Sequence, residues 1–162
     1  MTGPVGIVVI GVGNEFRGDD GAGPEVLTLL RGRLPGDVRL VLSDGEPTRL
    51  LEAWTGASVA IVVDAVAGGP APAGTLRRLV LGPAAGVGSL ANGEAGVASS
   101  HGLGMETAVG LASVLGRLPS VLIVHCIQGA DFSQRQGLSE PVAAAIGSLA
   151  DAILADVSAA RE

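Results

Sequence analysis

Three apolar runs limit what this chain can fold into: Val5 to Ile10, Val59 to Val63 and Val121 to Ile127. A strand with one wet face alternates apolar and polar residues. These runs do not, so both faces need cover, as in a parallel sheet layered by helices. Val38 to Leu42 and Leu76 to Leu81 are weaker strand candidates. Between the runs, apolar residues recur at helical spacing: Val26, Leu29, Leu30 and Leu34, then Leu50, Leu51 and Trp54, then Ala108, Leu111, Ala112 and Leu115. The last series is Val142, Ile146, Leu149, Ile153 and Val157, with Ser139 in the cap position and Pro141 in the first turn, where its missing N–H costs nothing. Strands alternating with helices predict an α/β fold: a three-layer, doubly wound sandwich with a mostly parallel sheet of about five strands and helices on both faces. At 162 residues, a single domain over 1–162 is expected.

Composition narrows the partners. Ten basic residues against sixteen acidic give a net charge of −6. No basic stripe can neutralise phosphates, which argues against nucleic acid. Only Phe16, Phe132 and Trp54 are aromatic, so the core must be built from Val, Leu, Ile and Ala. The N-terminal apolar run lacks a basic lead and opens into a loop motif instead of a cleavage site. No stretch supplies about 20 uninterrupted apolar residues. A cytoplasmic protein without a membrane partner is expected, and the single cysteine, Cys126, is compatible with that. No heptad seam is evident, and a monomer is expected.

The chemistry concentrates after the first strand. "GNEFRGDDGAG", residues 13–23, crowds Glu15, Asp19 and Asp20 onto a glycine-rich loop, where they repel one another unless a cation or distinct roles separate them. In an open α/β sheet, ligands gather outside the carboxyl ends of the strands. The first strand runs into this loop, "VAIVVDA" delivers Asp64 at the end of another, and His101 in "SSHGLG" opens a later helix. Two carboxylates and an imidazole make a three-ligand set with positions left over on a divalent transition metal. A helix start also keeps His101 neutral, the form that binds metal. The plainer alternatives are that Asp19 or Asp20 caps the helix near Pro24, that Asp64 forms a strand-end turn and that His101 merely begins a helix. Each is reasonable alone, but all three residues fall where the fold rule places a site.

Other patterns are weaker. "GVGNEF" begins like a dinucleotide fingerprint, but Phe16 occupies the third glycine position and the loop is acidic where a pyrophosphate needs donors. "DDGAGPE" lacks the alternating ligands of an EF-hand, and no G-x-S-x-G elbow occurs. Cys126 and His125 are adjacent on one strand and point to opposite faces, so they make no nucleophile and base pair. Cys126 is expected to be buried, and His125 is a reserve ligand candidate. The glycine-rich stretch 82–100 is long enough to be functional, and is expected to be mobile until substrate binds.

Together, "GVGNEFRGDDGAGPEV", "DGEPTRLLEAW", "VVDAV", "SSHGLG" and "GLSEPVAAAI" resemble the hydrogenase maturation proteases, endopeptidases that trim the large subunit of [NiFe] hydrogenases. The resemblance runs from about Val8 to Ile146. It implies that Asp20, Asp64 and His101 are metal ligands, that Asp20 and Asp64 are the catalytic residues, and that Glu15 and Asp19 contact solvent or substrate. The implied partner is the large-subunit precursor, and the implied metal is nickel supplied by that substrate; no organic cofactor is expected. Two departures stand out: Glu46-Pro47 where many relatives have a glycine, and Cys126 to Gly129 where many have Gly-Ile-Glu-Pro. Both bear on which large subunit is accepted.

The activity the resemblance implies is removal of a C-terminal peptide from the nickel-loaded precursor. A rival mechanism uses Asp20 and Asp64 as a metal-free acid and base pair. A non-catalytic chaperone that senses nickel loading is the alternative outside enzymology, and a nucleotide-binding oxidoreductase ranks far below both.

Overall fold

The structure is a computed structural model that describes residues 6–81 and 102–162. Its five strands form one sheet: β1 (Ile7–Val12), β2 (Arg39–Ser43), β3 (Val59–Val66), β4 (Leu76–Leu81) and β5 (Val121–Gln128), in the order β2-β1-β3-β5-β4. All neighbours are parallel except β4 with β5. The three unalternated runs became the three central strands, and β1 and β3 are buried along their whole length. The two weaker candidates are the edges. Their mixed burial follows from having a neighbour on one side only.

The helices are α1 (Ala22–Leu30), α2 (Pro47–Trp54), α3 (Gly102–Leu115) and α4 (Glu140–Ala160), with a 3₁₀ turn, Gly18–Gly21, ahead of α1. Odd-numbered residues of the central strands, such as Val9, Ile61 and Ile123, pack with α1 and α4 through Val26, Leu30, Ile146 and Ile153. Even-numbered ones, such as Val8, Val62 and Leu122, pack with α2 and α3 through Leu50, Trp54, Met105 and Ala108. The sheet therefore has a helical layer on each face, the doubly wound arrangement the patterning predicted. α4 is long and apolar enough, by length and composition, to cross a membrane. Here it is a core helix: Val142, Ile146, Leu149, Ile153 and Val157 are buried against the sheet, and Asp156 on the same stripe is tied to β4 and β5.

β1 leads outward to β2, and the chain then returns past β1 to β3. The strand order thus reverses between β1 and β3. This switch point leaves a crevice at the carboxyl ends of the two strands, because the connections diverge to opposite sides.

Candidate functional site

Asp20 and Asp64 stand on the two sides of that crevice. Asp20 lies in the 3₁₀ turn directly after β1, and this turn packs against β3. Asp64 lies within β3, on the face that α2 and α3 cover. Both are buried, at 3% and 4% exposure. Asp64 is not at the strand end, as the sequence reading had it: Ala65 and Val66 continue the ladder opposite Ile127 and Gln128. Nor is it a turn former.

The local sequence fixes Asp20. The Asn14 N–H donates to Asp20 Oδ2 at 2.9 Å, while Asn14 Oδ1 accepts the Phe16 N–H at 2.9 Å, an Asx turn that reverses the chain. Gly13 has φ of +140° and a Cβ there would overlap the Asp20 carbonyl, so only glycine allows the turn to fold back on itself. Neither Asp19 nor Asp20 caps α1; the cap position is Gly21, with no side-chain bond.

Asp19 corrects an expectation. It is fully buried and touches the segment after β5, not solvent. Its Oδ2 accepts the N–H groups of Ala130 (2.7 Å) and Asp131 (3.0 Å) and the Ser139 hydroxyl (2.8 Å), and its Oδ1 accepts the Ser139 N–H (2.7 Å). Burial alone would raise its pKa, but these donors outweigh it and hold the carboxyl below its ordinary value. The Ser139 hydroxyl consequently does not cap α4, although Ser139 occupies the cap position. Backbone bonds from Gly18 to the Arg135 carbonyl and from Asp19 to the Asp131 carbonyl complete the seam. Glu15 is exposed, as expected.

His101 lies outside the described residues, as does the stretch 82–100. α3 begins at the same end of the sheet: a Cβ on Gly104 would lie 2.5 Å from the Gly45 carbonyl, just past β2. Among the described residues, no three His, Cys, Asp or Glu side chains are grouped to hold a metal ion.

His125 is not part of this site. It lies on the opposite face, buried, with Nε2 2.6 Å from Asp156 Oδ2, and Asp156 also receives Arg78 through Nε (3.2 Å) and Nη2 (2.8 Å). Burial pushes the His125 pKa down further than Asp156 raises it, so the ring is neutral and donates to the carboxylate. Cys126 is half-buried, not buried, and shares the α2 and α3 face with Asp64, its partner in the ladder. Sequence reasoning missed Asp156 and gave Asp19 a different role. An acid on the apolar stripe of α4 was the available signal for Asp156; Asp19 had none, since its donors come from more than a hundred residues away.

Beside the Asn14 turn a groove of about 1020 Å³ runs around the outer edge of β2, bounded by α1 on one face of the sheet and α2 on the other. Gly13 and Asn14 are part of its lining.

A family model described as HycI, hydrogenase maturation protease, matches residues 31–156. The matched stretch includes Asp64 and His101 and begins after Asp20. Among solved structures, the hydrogenase maturating endopeptidase HybD from E. coli superposes with a TM-score of 0.79 at 22% identity, over 94% of this chain and 91% of that one. The [NiFe] hydrogenase maturation protease HybD from Thermococcus kodakarensis gives 0.73 at 20% identity, over 93% and 98%. A hydrogenase 2 maturation peptidase from Thaumarchaeota archaeon SCGC_AB-539-E09 gives 0.67 at 28% identity, over 93% and 97%. No curated protein matches the chain by sequence.

Proposed function

Because this chain belongs to the hydrogenase maturation protease family, we propose that it makes a single cut near the C-terminus of the nickel-loaded precursor of a [NiFe] hydrogenase large subunit. One observation carries the site assignment: two buried carboxylates, Asp20 and Asp64, flank the switch point between β1 and β3, where this class of fold binds its ligands.

Nickel is part of the substrate in this reading, not a resident cofactor. Asp20, Asp64 and His101 complete its coordination, and carboxylate and imidazole donors suit a divalent first-row ion. A cation so held polarises the scissile carbonyl and acidifies a water. The water oxygen bonds to the carbonyl carbon, the C–N bond breaks, and the proton lost by water passes through a carboxylate to the leaving nitrogen. The Asn14 N–H on Oδ2 orients Asp20 for this role. Its burial excludes bulk water, which strengthens each charge interaction in the crevice.

The test is incubation with the large-subunit precursor, with and without nickel, followed by intact mass measurement. Shortening of the nickel-loaded form alone is expected, and it is lost in Asp20→Asn, Asp64→Asn and His101→Ala proteins that remain folded. Equal cleavage of both forms would leave a metal-free aspartate pair. A stable complex with no change in mass would make the protein a nickel-sensing chaperone, and full activity in all three variants would sink the site assignment.

A further inference from the structure

The two edges of the sheet are guarded differently. β4, Leu76–Leu81, carries Arg77 and Arg78 in its middle, the charged side chains by which edge strands discourage pairing. β2, Arg39–Ser43, places Leu40, Val41 and Leu42 in its middle, with no proline. Its outward hydrogen-bonding groups can be assigned. In a parallel ladder a residue's N–H and C=O point to the same side. The Gly13 N–H donates to the Ser43 carbonyl at 3.0 Å, so Ser43, Val41 and Arg39 turn toward β1. Leu40 and Leu42 therefore turn their backbone groups outward.

Leu42 lines the groove of about 1020 Å³, so its outward groups open into it. Phe16 and Leu42, 55% and 56% exposed, line it. Its charges cancel: Arg31, Arg39 and Arg49 are matched by Glu15, Asp44 and Glu52. Asp44 and Arg49 are already paired with each other. Such a lining attracts neither a polyanion nor a polycation. It fits an extended peptide without net charge, carrying apolar side chains for Phe16 and Leu42. Gly13 and Asn14 line the groove, and the Asn14 N–H holds Asp20, so a strand laid in it passes beside the turn that carries Asp20.

We infer that β2 is the docking edge for the substrate, and that the precursor segment next to the cut adds to the sheet as a sixth strand through Leu40 and Leu42. Backbone pairing supplies affinity and positions the chain, while the Phe16 and Leu42 contacts select apolar side chains. The inference rests on the protease reading above and adds where the peptide lies.

Two variants test it: Leu42→Pro, which removes an outward N–H without breaking a bond to β1 and which an edge strand tolerates, and Phe16→Ala. With the nickel-loaded precursor as substrate, each is expected to raise KM about five-fold or more while kcat stays within about two-fold, the scale of one lost hydrogen bond or apolar contact. Hydrogen exchange gives a second measurement, independent of whether Leu42→Pro folds. Residues 39–43 of the Asp20→Asn protein are expected to exchange about ten-fold more slowly with precursor bound. Unchanged KM in both folded variants, or unchanged exchange, overturns the docking edge while wild-type cleavage leaves the protease reading standing. Failure of the wild type to cleave takes down both. A wild-type dimer that Leu42→Pro converts to monomer would assign the edge to a second copy of the chain, and so also overturns the inference.

Discussion

Replacing Asp19 by asparagine removes one oxygen acceptor and adds two donors at a site that contains only donors. The amide has two orientations. With its oxygen in the Oδ2 position it keeps the Ala130, Asp131 and Ser139 hydroxyl bonds, but its NH₂ then faces the Ser139 N–H, which now donates to Oδ1 at 2.7 Å. The reverse orientation sets the NH₂ against two backbone N–H groups, so the first is favoured. One bond to a charged acceptor is lost, at about 1.5–3 kcal/mol, and three others weaken from charged to neutral, at about 0.5 kcal/mol each. The expected loss is about 3–4.5 kcal/mol, and at this chain length about 6–18 °C in Tm. Urea denaturation at pH 7 measures it as a lower midpoint with unchanged slope. The sign of the pH dependence follows from the lowered pKa. Asp19 contributes its full stability above its unfolded value of about 3.8 and loses it as pH falls through the lower folded value. The gap between wild type and Asp19→Asn should therefore be constant from pH 5 to 8 and close only below about pH 4. A change smaller than about 0.5 kcal/mol at pH 7 would refute the seam as a stabilising element.

Gly23→Ala is expected to cost about 2 kcal/mol, because a Cβ there would overlap the Val12 carbonyl and force α1 off β1; thermal melting reads the stability, and peptide release shows whether the turn carrying Asp20 has moved. His125 has a folded pKa below its ordinary 6.5, so its contribution is complete above that value and lost as pH falls through the folded one. Wild-type stability should decline below about pH 6.5 with a slope of at most about 1.4 kcal/mol per unit from this residue. Denaturation series at several pH values should show that part of the slope missing in His125→Gln, and an unchanged slope would show that the ring does not titrate there.

The sheet was legible because its signal is local: an unalternated run has only one way to hide both faces, and β1, β3 and β5 are where those runs lie. The edges read weakly because edge strands are half wet. That Asp20 and Asp64 lie near the same end of the sheet was legible because the rule about strand ends needs only sequence order, although β3 runs two residues past Asp64. What each acid does was not, since the environment that separates Asp19 from Asp20 comes from Ala130, Asp131 and Ser139. Adjacent residues in a 3₁₀ turn point in different directions, and nothing in "GDD" says which one meets the distant donors. Cys126 departs from the expectation of cover on both faces as a single half-buried position, since Ile127 and Gln128 beyond it are buried.

The departure at Cys126 to Gly129 bears on this seam and not on the two acids directly. Gln128 donates through Nε2 to the Val66 and Gly68 carbonyls, at 3.3 and 2.7 Å, a contact that glutamate, an acceptor when ionised, cannot make. The Gly129 N–H donates to the Val66 carbonyl at 2.8 Å, and proline has no N–H to offer. A Cβ on Gly129 would lie 2.5 Å from the Phe132 ring and 3.1 Å from the Asp19 Cβ. Gln128, Gly129 and Phe132 are thus one packed solution, and changing any one toward Glu or Pro requires the others to move. Because the same segment supplies the donors that hold Asp19, its conformation sets the position of the turn that carries Asp20. The end of β5, the segment after it and the turn after β1 are therefore packed as one unit, and a change at Gln128 or Gly129 is transmitted to Asp19 before it reaches Asp20.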